Sequence, residues 1–266
     1  MVNENDKPDP LQSHPSREWP STPYSDEARA EEPPANESCC IAMIGDCTVA
    51  CEKWPAANRP DNHLRIRLRR AFPGQPFVVR NYADSGGRAK ALIETGRLDE
   101  ILHDLPKIDI AFIRYGINDR KTDGVDVCLS YLNTICSRLR EAYSTITTVI
   151  ETGIWVDYPK HYMWDRNSRL APLYDAMRAF VESEGYPVVD IFRRMEEETK
   201  DGNWDLRVRG IPGGEFDVLD DSLDQFYFDD PAFFSNIHPN STCMGLIAEW
   251  EIEKIKELFG DRLPRG

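Results

Sequence analysis

The sequence predicts an α/β protein, a three-layer α/β/α sandwich in which helices cover both faces of a parallel sheet. Two observations lead to this prediction. Short apolar segments alternate with segments of helical periodicity, which is typical of βαβ units with right-handed crossovers. One segment, IDIAFIRY (108–115), contains the continuous apolar stretch expected of a strand that is covered on both faces. In such a fold the active site lies at the carboxyl ends of the strands.

Five apolar segments are the predicted strands, and longer periodic segments between them are the predicted helices. The strands are CCIAMI (39–44), FVV (77–79), IDIAFIRY (108–115), TITTVIET (145–152) and PVVDIF (187–192). Leu64, Leu68 and Phe72 recur at i, i+4 and i+8 and indicate a helix from Asp61 to Phe72. Further helices are predicted over 125–143, 168–184 and 239–259, the last beginning at Pro239.

Two segments do not follow this alternation. Residues 1–38 are rich in Pro, Ser, Glu and Asp, and they contain too little apolar sequence to offset the entropy of ordering. We therefore expect a disordered or loosely packed tail, followed by one domain over residues 39–266. Within that domain, 200–237 is a long irregular insertion that contains many acids and aromatics. It is interpreted either as an ordered cover over the site or as a solvated loop.

The composition excludes several classes of partner. The 266 residues include 46 acidic and 32 basic side chains, a formal charge of −14, which is unfavourable for general binding of nucleic acid or anionic membrane. No apolar run approaches the roughly 20 residues that span a bilayer. The seven cysteines are odd in number and crowded into apolar segments, as is typical of reduced thiols. The segment MVNENDKPDP lacks the features of a secretory signal, and this favours a cytoplasmic location.

Candidate functional residues follow three of the predicted strands. The segment GDCT (45–48) comes after the first strand, next to a helix N-terminus that lowers the pKa of a thiol. NYADSGGR (81–88) follows the second strand, and its glycines let backbone N–H groups approach a ligand. GIND (116–119) follows the third, and its Asn side chain can donate to an oxyanion. Taken singly, the first is better explained by a buried structural cysteine and the others by turns.

A fourth motif precedes the last predicted helix. His238 lies there, directly before Pro239, and a histidine at such a position can act as a general base. In this order the four motifs resemble those of the SGNH (GDSL-type) esterases, whose blocks are GDS, a glycine loop, GxND and DxxH. The resemblance spans most of 39–259. Within that family, GDCTVA (45–50), NYADSGGRA (81–89) and ETGR (94–97) look like the rhamnogalacturonan acetylesterase branch.

The resemblance implies a flavodoxin-like SGNH hydrolase fold, no metal, no cofactor, and removal of acyl groups, often acetyl, from a small-molecule or oligosaccharide ester. The implied site residues fall into three groups. The catalytic residues are Cys47, His238 and Ser235. The oxyanion hole comprises Cys47, Gly86 and Asn118, although alignment on the Gly-Arg pair selects Gly87 instead of Gly86. The residues expected to contact the substrate are Asp46, Gly87, Arg88 and Asp119.

Two positions depart from the family pattern. Cys47 stands where the family has Ser, and Ser235 stands where it has Asp. A thiol ionises more readily than a hydroxyl, so a Cys–His pair depends less on an orienting carboxylate. Other side chains that can orient the histidine are Asp229, Asp230 and Asn236. The alternative interpretation is a degenerate, inactive site or an engineered serine-to-cysteine change.

Three functions are consistent with these motifs. The first is an acyl-ester hydrolase that acts on a carbohydrate-like substrate, the second an acyltransferase, and the third an inactive carbohydrate-binding protein. Four arginines near the predicted site either hold a carboxylated sugar or balance local acids, and they are Arg88, Arg97, Arg114 and Arg120. A zinc site is not predicted, because the spacing of Cys39, Cys40, Cys47 and Cys51 does not match one.

Overall fold

The computed structural model describes residues 33–51, 59–155, 166–200, 239 and 241–264. These residues form a five-stranded sheet in the order β2-β1-β3-β4-β5, in which every neighbouring pair is parallel. The strands are β1 (Cys39–Gly45), β2 (Phe77–Asn81), β3 (Ile110–Arg114), β4 (Thr147–Glu151) and β5 (Val188–Val189). The predicted parallel α/β sheet is therefore confirmed, with the strand order of flavodoxin-like folds.

Helices connect successive strands and cover the sheet. In chain order they are α1 (Cys47–Ala50), α2 (Pro60–Ala71), α3 (Ala89–Glu94), α4 (Arg97–Asp104), α5 (Asp119–Thr122), α6 (Val125–Ala142), α7 (Arg166–Glu184), α8 (Ile191–Lys200) and α9 (Ser241–Phe259). Helices α2 and α9 pack together as one layer, whereas α3, α4, α6 and α7 form the other. The sheet between the layers supplies the core, and all seven residues of β1 are buried.

The order of the strands reverses beside β1. From β1 the chain passes through α2 to β2 on one side, and it then returns past β1 to β3 on the other side. The turns that follow β1 and β3 therefore leave the sheet in different directions and open a crevice at its carboxyl edge, which is where parallel α/β proteins bind their ligands. Cys47 follows β1 at this point, and Asn118 follows β3.

The predicted last strand is shorter than its sequence suggests. PVVDIF (187–192) was expected to be strand throughout, but only Val188 and Val189 pair with β4. Asp190 ends the strand, because its backbone oxygen accepts the first hydrogen bond of α8, from Arg194 N–H at 3.1 Å. α8 was not predicted. The last helix begins at Ser241, whereas Pro239 is not helical.

The boundary of the predicted tail lies close to the start of β1. A short 3-10 helix at Ala35–Glu37 leads into the strand, and Ala35 packs against the core. The Ser38 hydroxyl donates to the Pro34 oxygen at 2.7 Å, and the Cys40 thiol donates to the Ala35 oxygen at 3.2 Å. The last residues of the predicted tail therefore belong to the folded domain. Residues 1–32 and the insertion from 201 onward lie outside the described residues.

Candidate active site

The turn after β1 is fixed by an aspartate cap. We name Gly45–Thr48 the β1–α1 turn. Oδ1 of Asp46 accepts hydrogen bonds from the Thr48 N–H at 2.9 Å and from the Thr48 hydroxyl at 2.8 Å. The Asp46 N–H donates to the backbone oxygen of Arg114, the last residue of β3, at 3.1 Å. An aspartate at this position is a favoured N-cap. The cap places Cys47 as the first residue of α1, at the crevice.

Three hydrogen-bond donors converge on the sulfur of Cys47. The backbone N–H groups of Gly86 and of Cys47 itself lie close enough to Sγ to lower the pKa of the thiol. Nδ2 of Asn118 lies 3.9 Å from Sγ. These are the three donors that the sequence predicts for an oxyanion hole. Cys47 is 8% exposed, which is the highest value among the seven buried cysteines.

The surroundings of Cys47 keep its thiol protonated. Burial, and after it the negative charge of Asp46, raises the pKa of Cys47 to about 11. The hydrogen bonds from Gly86 and Asn118 act in the opposite direction but do not compensate for burial. The expectation of a low thiol pKa near a helix N-terminus is therefore wrong for the described surroundings. Because α1 has only four residues, its dipole is small.

We name residues 81–88, at and after the end of β2, the glycine loop. Its hydrogen bonds show which of Gly86 and Gly87 is available as a donor. The N–H of Gly87 donates to the Asp84 oxygen at 2.9 Å and is thus occupied within the loop. The N–H of Gly86 has no such partner within the loop, and its interaction with Cys47 Sγ lowers the pKa of the thiol. Gly86 has a φ of +74°, and a Cβ built on it would meet no atom within 4 Å, so this residue borders open space. The geometry therefore favours Gly86 as the loop donor.

Asp119 connects the loops instead of facing the crevice. Its Oδ1 accepts from the Ala89 N–H at 2.8 Å, and its Oδ2 accepts from the Gly116 N–H at 3.0 Å. Its side chain is buried, and burial raises its pKa. Asp46 is equally buried and serves as the cap. Both were expected to contact the substrate, but their carboxylates are used within the protein to hold the loops that carry Cys47 and Asn118.

The arginines near the site are mostly paired with acids. Arg88 binds Asp123 at 2.6 Å. Arg97 binds Glu100 at 2.7 Å and lies 3.6 Å from Asp84. The sequence leaves two roles open for these arginines, binding a carboxylated sugar or balancing local acids. The pairing shows that Arg88 and Arg97 balance local acids. Arg114 is also paired, with two buried glutamates, and Nε of Arg120 is buried with no hydrogen-bond partner among the described residues.

The structural roles of Asn81 and of the partners of Arg114 are not predicted by the sequence motifs. Nδ2 of Asn81 donates to the Val49 oxygen at 2.9 Å and so ties the end of β2 to α1. Arg114 forms a buried cluster with Glu151 and Glu251 beneath the β1–α1 turn. A signal for this cluster exists in the sequence, because Arg114 and Glu151 are charged residues at the ends of apolar strands.

The remaining predicted catalytic residues lie outside the described part of the chain. These are Ser235 and His238, together with the alternative partners Asp229, Asp230 and Asn236. Within the described ranges, no group of three or more His, Cys, Asp or Glu side chains is arranged to hold a metal ion. No helix in those ranges is long and apolar enough to cross a membrane.

The fold and the motifs at its carboxyl edge define a flavodoxin-like α/β protein with a GDS-type turn, a glycine loop and a GxND motif. Residues 43–243 match the sequence model of the GDSL-like lipase/acylhydrolase family. The match covers most of the chain, and the protein therefore belongs to this family. No curated protein sequence matches the chain significantly.

Solved structures of the same fold include several esterases of low sequence identity. A lipase/acylhydrolase from Enterococcus faecalis has a TM-score of 0.59 at 12% identity, with 83% of this chain and 96% of that chain covered. An acetylxylan esterase from Geobacillus stearothermophilus has a TM-score of 0.56 at 14% identity, with coverages of 82% and 95%. A member of the lipolytic G-D-S-L family from Veillonella parvula has a TM-score of 0.53 at 14% identity, with coverages of 81% and 97%. These similarities establish the fold.

Proposed function

We propose that this protein is a carboxylic-ester hydrolase that removes acyl groups, acetyl first among them, from carbohydrate esters. The observation that carries the proposal is the position of the Asn118 amide 3.9 Å from Cys47 Sγ, beside the Gly86 and Cys47 N–H groups that lower the pKa of the same thiol. An acyl carbon attacked by this sulfur would place its oxygen among the same donors. Membership of an acylhydrolase family supports the reaction class, and the fold shared with an acetylxylan esterase supports the substrate class.

In the proposed reaction, Cys47 is the nucleophile and His238 the general base. Because the pKa of Cys47 is raised to about 11, the thiol is neutral near pH 7 and depends on a base to remove its proton. The sulfur then bonds to the ester carbonyl carbon, and the oxyanion accepts hydrogen bonds from Cys47, Gly86 and Asn118. Loss of one such donor typically costs about 2.7–4 kcal/mol of transition-state stabilisation.

Collapse of this intermediate breaks the bond to the alkoxy oxygen, and His238 returns its proton to the departing alcohol. Water, deprotonated by His238, then attacks the acyl carbon. The carbon–sulfur bond breaks, Cys47 recovers its proton from His238, and the acid is released. Ser235 is proposed as the hydrogen-bond partner of His238, with Asp229, Asp230 and Asn236 as alternatives. In the substrate-binding role, Gly87 and Arg88 remain proposed neighbours of the acyl group, whereas Asp46 and Asp119 are assigned to support the loops.

The test is the turnover of p-nitrophenyl acetate and of acetylated xylo-oligosaccharides by the wild type beside Cys47→Ala. Cys136→Ala is the matched control, because Cys136 is a buried cysteine on α6. We expect the first substitution to abolish turnover and the second to preserve it, with an acyl group on the Cys47 peptide in mass spectrometry. Equal turnover by wild type and Cys47→Ala would refute the nucleophile assignment.

Two other outcomes identify the alternative functions. Acyl-thioester that is discharged by an added sugar acceptor faster than by water would indicate an acyltransferase. Binding of the oligosaccharides without any acylation of Cys47 would indicate an inactive carbohydrate-binding protein. The double variant Cys47→Ser with Ser235→Asp is a further test for an inactive site, because it restores the residues that the family has at both positions. Turnover that appears only in the double variant would identify a disabled esterase site.

A further inference from the structure

Three charged side chains meet in the interior beneath the β1–α1 turn. Arg114 ends β3, Glu151 ends β4 directly opposite it in the sheet register, and Glu251 projects from α9. Each of the three is 1% exposed. Nε and Nη2 of Arg114 donate to Oε2 of Glu151 at 2.9 and 2.8 Å, and Nη2 lies 3.4 Å from Oε1 of Glu251. We name these residues the buried charge cluster.

The hydrogen bonds of the cluster are complete only if it holds a proton. Oε1 of Glu151 and Oε2 of Glu251 have no hydrogen-bond partner among the described residues. Both carboxyl groups contact the same Nη2 of Arg114, and hydrogen bonding between them raises the pKa of Glu251. A carboxylate cannot donate, but a protonated carboxyl can, so a single proton on either acid supplies the donor that the pair lacks. With that proton the charges of one arginine and two acids sum to zero.

Other charges around the cluster do not remove the need for this proton. Burial raises the pKa of Glu251 well above its ordinary value, and the charge of Glu151 acts in the same direction. Arg67 on α2 opposes this effect, but it is itself bound to Glu249 at 2.7 Å. Asp46 adds a further negative charge near Arg114. The segment of β5 that packs on α9 is Val188–Val189 and carries no charge.

The cluster is connected to the turn that bears Cys47. Nη1 of Arg114 donates to the Thr48 oxygen at 3.4 Å, and the backbone oxygen of Arg114 accepts from the Asp46 N–H at 3.1 Å. Glu251 belongs to α9, which closely follows His238 in the sequence. One guanidinium therefore links the β1–α1 turn, the ends of two central strands and the helix that follows the predicted base.

We propose that Arg114, Glu151 and Glu251 are positioning residues that hold the β1–α1 turn against α9, and that the two carboxyls share one proton between them. The positioning of a nucleophile rests on the proposed function, since it presupposes that Cys47 reacts. None of the three touches the reacting atoms. They act through the Thr48 oxygen and the Asp46 N–H, which fix the place of Cys47 Sγ relative to its donors.

Glutamine substitutions test the shared proton. The amide of Glu251→Gln can donate to Glu151 as the protonated acid does, and in Glu151→Gln the remaining Glu251 can ionise against Arg114. We therefore expect each single variant to alkylate Cys47 with iodoacetamide within about twofold of the wild-type rate. The double variant leaves Arg114 without a carboxylate that pairs with it directly, and we expect its Tm to fall by about 10 °C.

In the double variant the loosened turn should expose Cys47 while misplacing it. Far below the Tm, we expect alkylation of Cys47 to accelerate relative to that of Cys136, and kcat with p-nitrophenyl acetate to fall about a hundredfold with KM little changed. Alkylation and Tm need no esterase activity, so they test the cluster even if the wild type hydrolyses no ester. Glu253→Gln, an exposed acid on the same helix, is the matched control for all three readouts.

Dependence of Tm on pH provides the second arm. Since the pKa of Glu251 is raised in the folded protein, the stability that its proton confers is complete below the ordinary carboxyl pKa and is lost as pH rises toward the folded value. The Tm of Glu251→Gln minus that of the wild type should therefore increase from about pH 5 to pH 8. A pH-independent difference, or single variants whose losses add to that of the double variant, would overturn the proposal.

Discussion

Asp46 has two opposing effects on Cys47. Through Oδ1 it caps α1 and so fixes the place of the thiol. Through its negative charge it raises the pKa of that thiol, in addition to the larger effect of burial. Asp46 therefore holds a cysteine at this position in place, but it also lowers the fraction of that cysteine that is ionised and reactive. For a serine nucleophile, whose hydroxyl is neutral in any case, the same carboxylate would have little effect on the fraction ionised.

Asp46→Asn separates the two effects. The amide oxygen can still accept from the Thr48 N–H, but the charge is gone, so we expect the pKa of Cys47 to fall from its value of about 11. The measurement is the rate of Cys47 alkylation against pH, followed on the peptide by mass spectrometry. Asp126→Asn, an exposed acid on α6, is the control and should leave the midpoint in place. An unchanged midpoint in Asp46→Asn would show that the carboxylate does not act on the thiol.

The same substitution changes how stability depends on pH. Burial raises the pKa of Asp46 from 3.8 to about 6, so the folded state holds this proton more firmly than the unfolded chain. The resulting stability is complete below about pH 4 and is lost by about pH 6, and a shift of this size corresponds to roughly 3 kcal/mol. We expect the free energy of unfolding of the wild type to fall relative to that of Asp46→Asn across this range. Urea unfolding at several pH values measures it, and parallel curves would contradict the prediction.

Asn118 is expected to contribute to the transition state more than to stability. Its side chain is half-buried and donates to the Gly87 oxygen at 3.1 Å, with Cys47 Sγ 3.9 Å away. Asn118→Ala should lower kcat for p-nitrophenyl acetate about 10²–10³-fold while lowering Tm only slightly. Asn133→Ala, at an exposed position of α6, controls for loss of an amide. A change confined to KM would assign Asn118 to substrate binding instead.

Single residues show how far the sequence predicts the site. The order of the motifs predicts that Cys47, Gly86 and Asn118 come together, because the carboxyl ends of neighbouring parallel strands share one edge. It does not predict the pKa of Cys47, which depends on burial by segments distant in sequence. Glu251 is likewise separated from Arg114 by 137 positions. The sequence identifies both as charged but does not indicate that they pair.

At the scale of elements, the glycine loop contributes both a donor and a support. The Asp84 N–H donates to the Gly45 oxygen at 3.1 Å, which ties the loop to the end of β1. A Cβ on Gly87 would lie 2.9 Å from the same Gly45 oxygen and 2.8 Å from that of Asp84. A Cβ on Gly86 would meet nothing, although its φ of +74° is unfavourable for other residues. The two glycines are therefore needed for different reasons.

Alanine substitutions distinguish these reasons. Gly86→Ala should cost about 1–2 kcal/mol through its positive φ and should also displace the N–H that faces Cys47. Gly185→Ala is the matched control, because Gly185 has a φ of +71° with equally open space at the end of α7. Both should lower Tm by similar amounts, but only Gly86→Ala should lower kcat. Gly87→Ala should lower Tm further, because its Cβ would push the loop away from β1. Equal kcat in the first two variants would remove Gly86 from the site.

Elements with a long or strongly apolar pattern are predicted well, and short ones are not. β1 and α6 lie within a residue of their predicted bounds, since each is apolar or periodic along its whole length. Helices α3 and α4 have only six and eight residues, too few for a repeat to stand out. PVVDIF is apolar enough for a strand, but Asp190 within it is also a helix cap. There the Phe192 N–H donates to the Thr152 hydroxyl at 2.9 Å, a contact that the local pattern does not reveal.

At the scale of the whole molecule, the strand order brings distant parts of the chain to one edge. The order β2-β1-β3 places the turns after all three strands around the crevice, and α9 returns the C-terminal part of the chain to the face that holds the buried charge cluster. The alternation of strands and helices predicts the layers. Gln75, just before β2, binds the segment that follows α9: its side chain donates to the Asp261 oxygen at 2.9 Å and accepts from the Leu263 N–H at 2.8 Å.

The N-terminal boundary of the domain is expected to lie between residues 32 and 38. The composition of residues 1–32 predicts few buried contacts, so their deletion should leave the Tm nearly unchanged. Deletion of residues 1–38 also removes the hydrogen bonds between Ser38 and Pro34 and between Cys40 and Ala35. At about 1 kcal/mol each, their loss should lower the Tm by about 5 °C. Scanning calorimetry of both truncations, with Ser38→Ala in the full chain as the control for one bond, measures the difference.

Equal Tm values for the two truncations would place the boundary at Cys39, whereas a large fall on deletion of 1–32 would show that the tail packs on the domain.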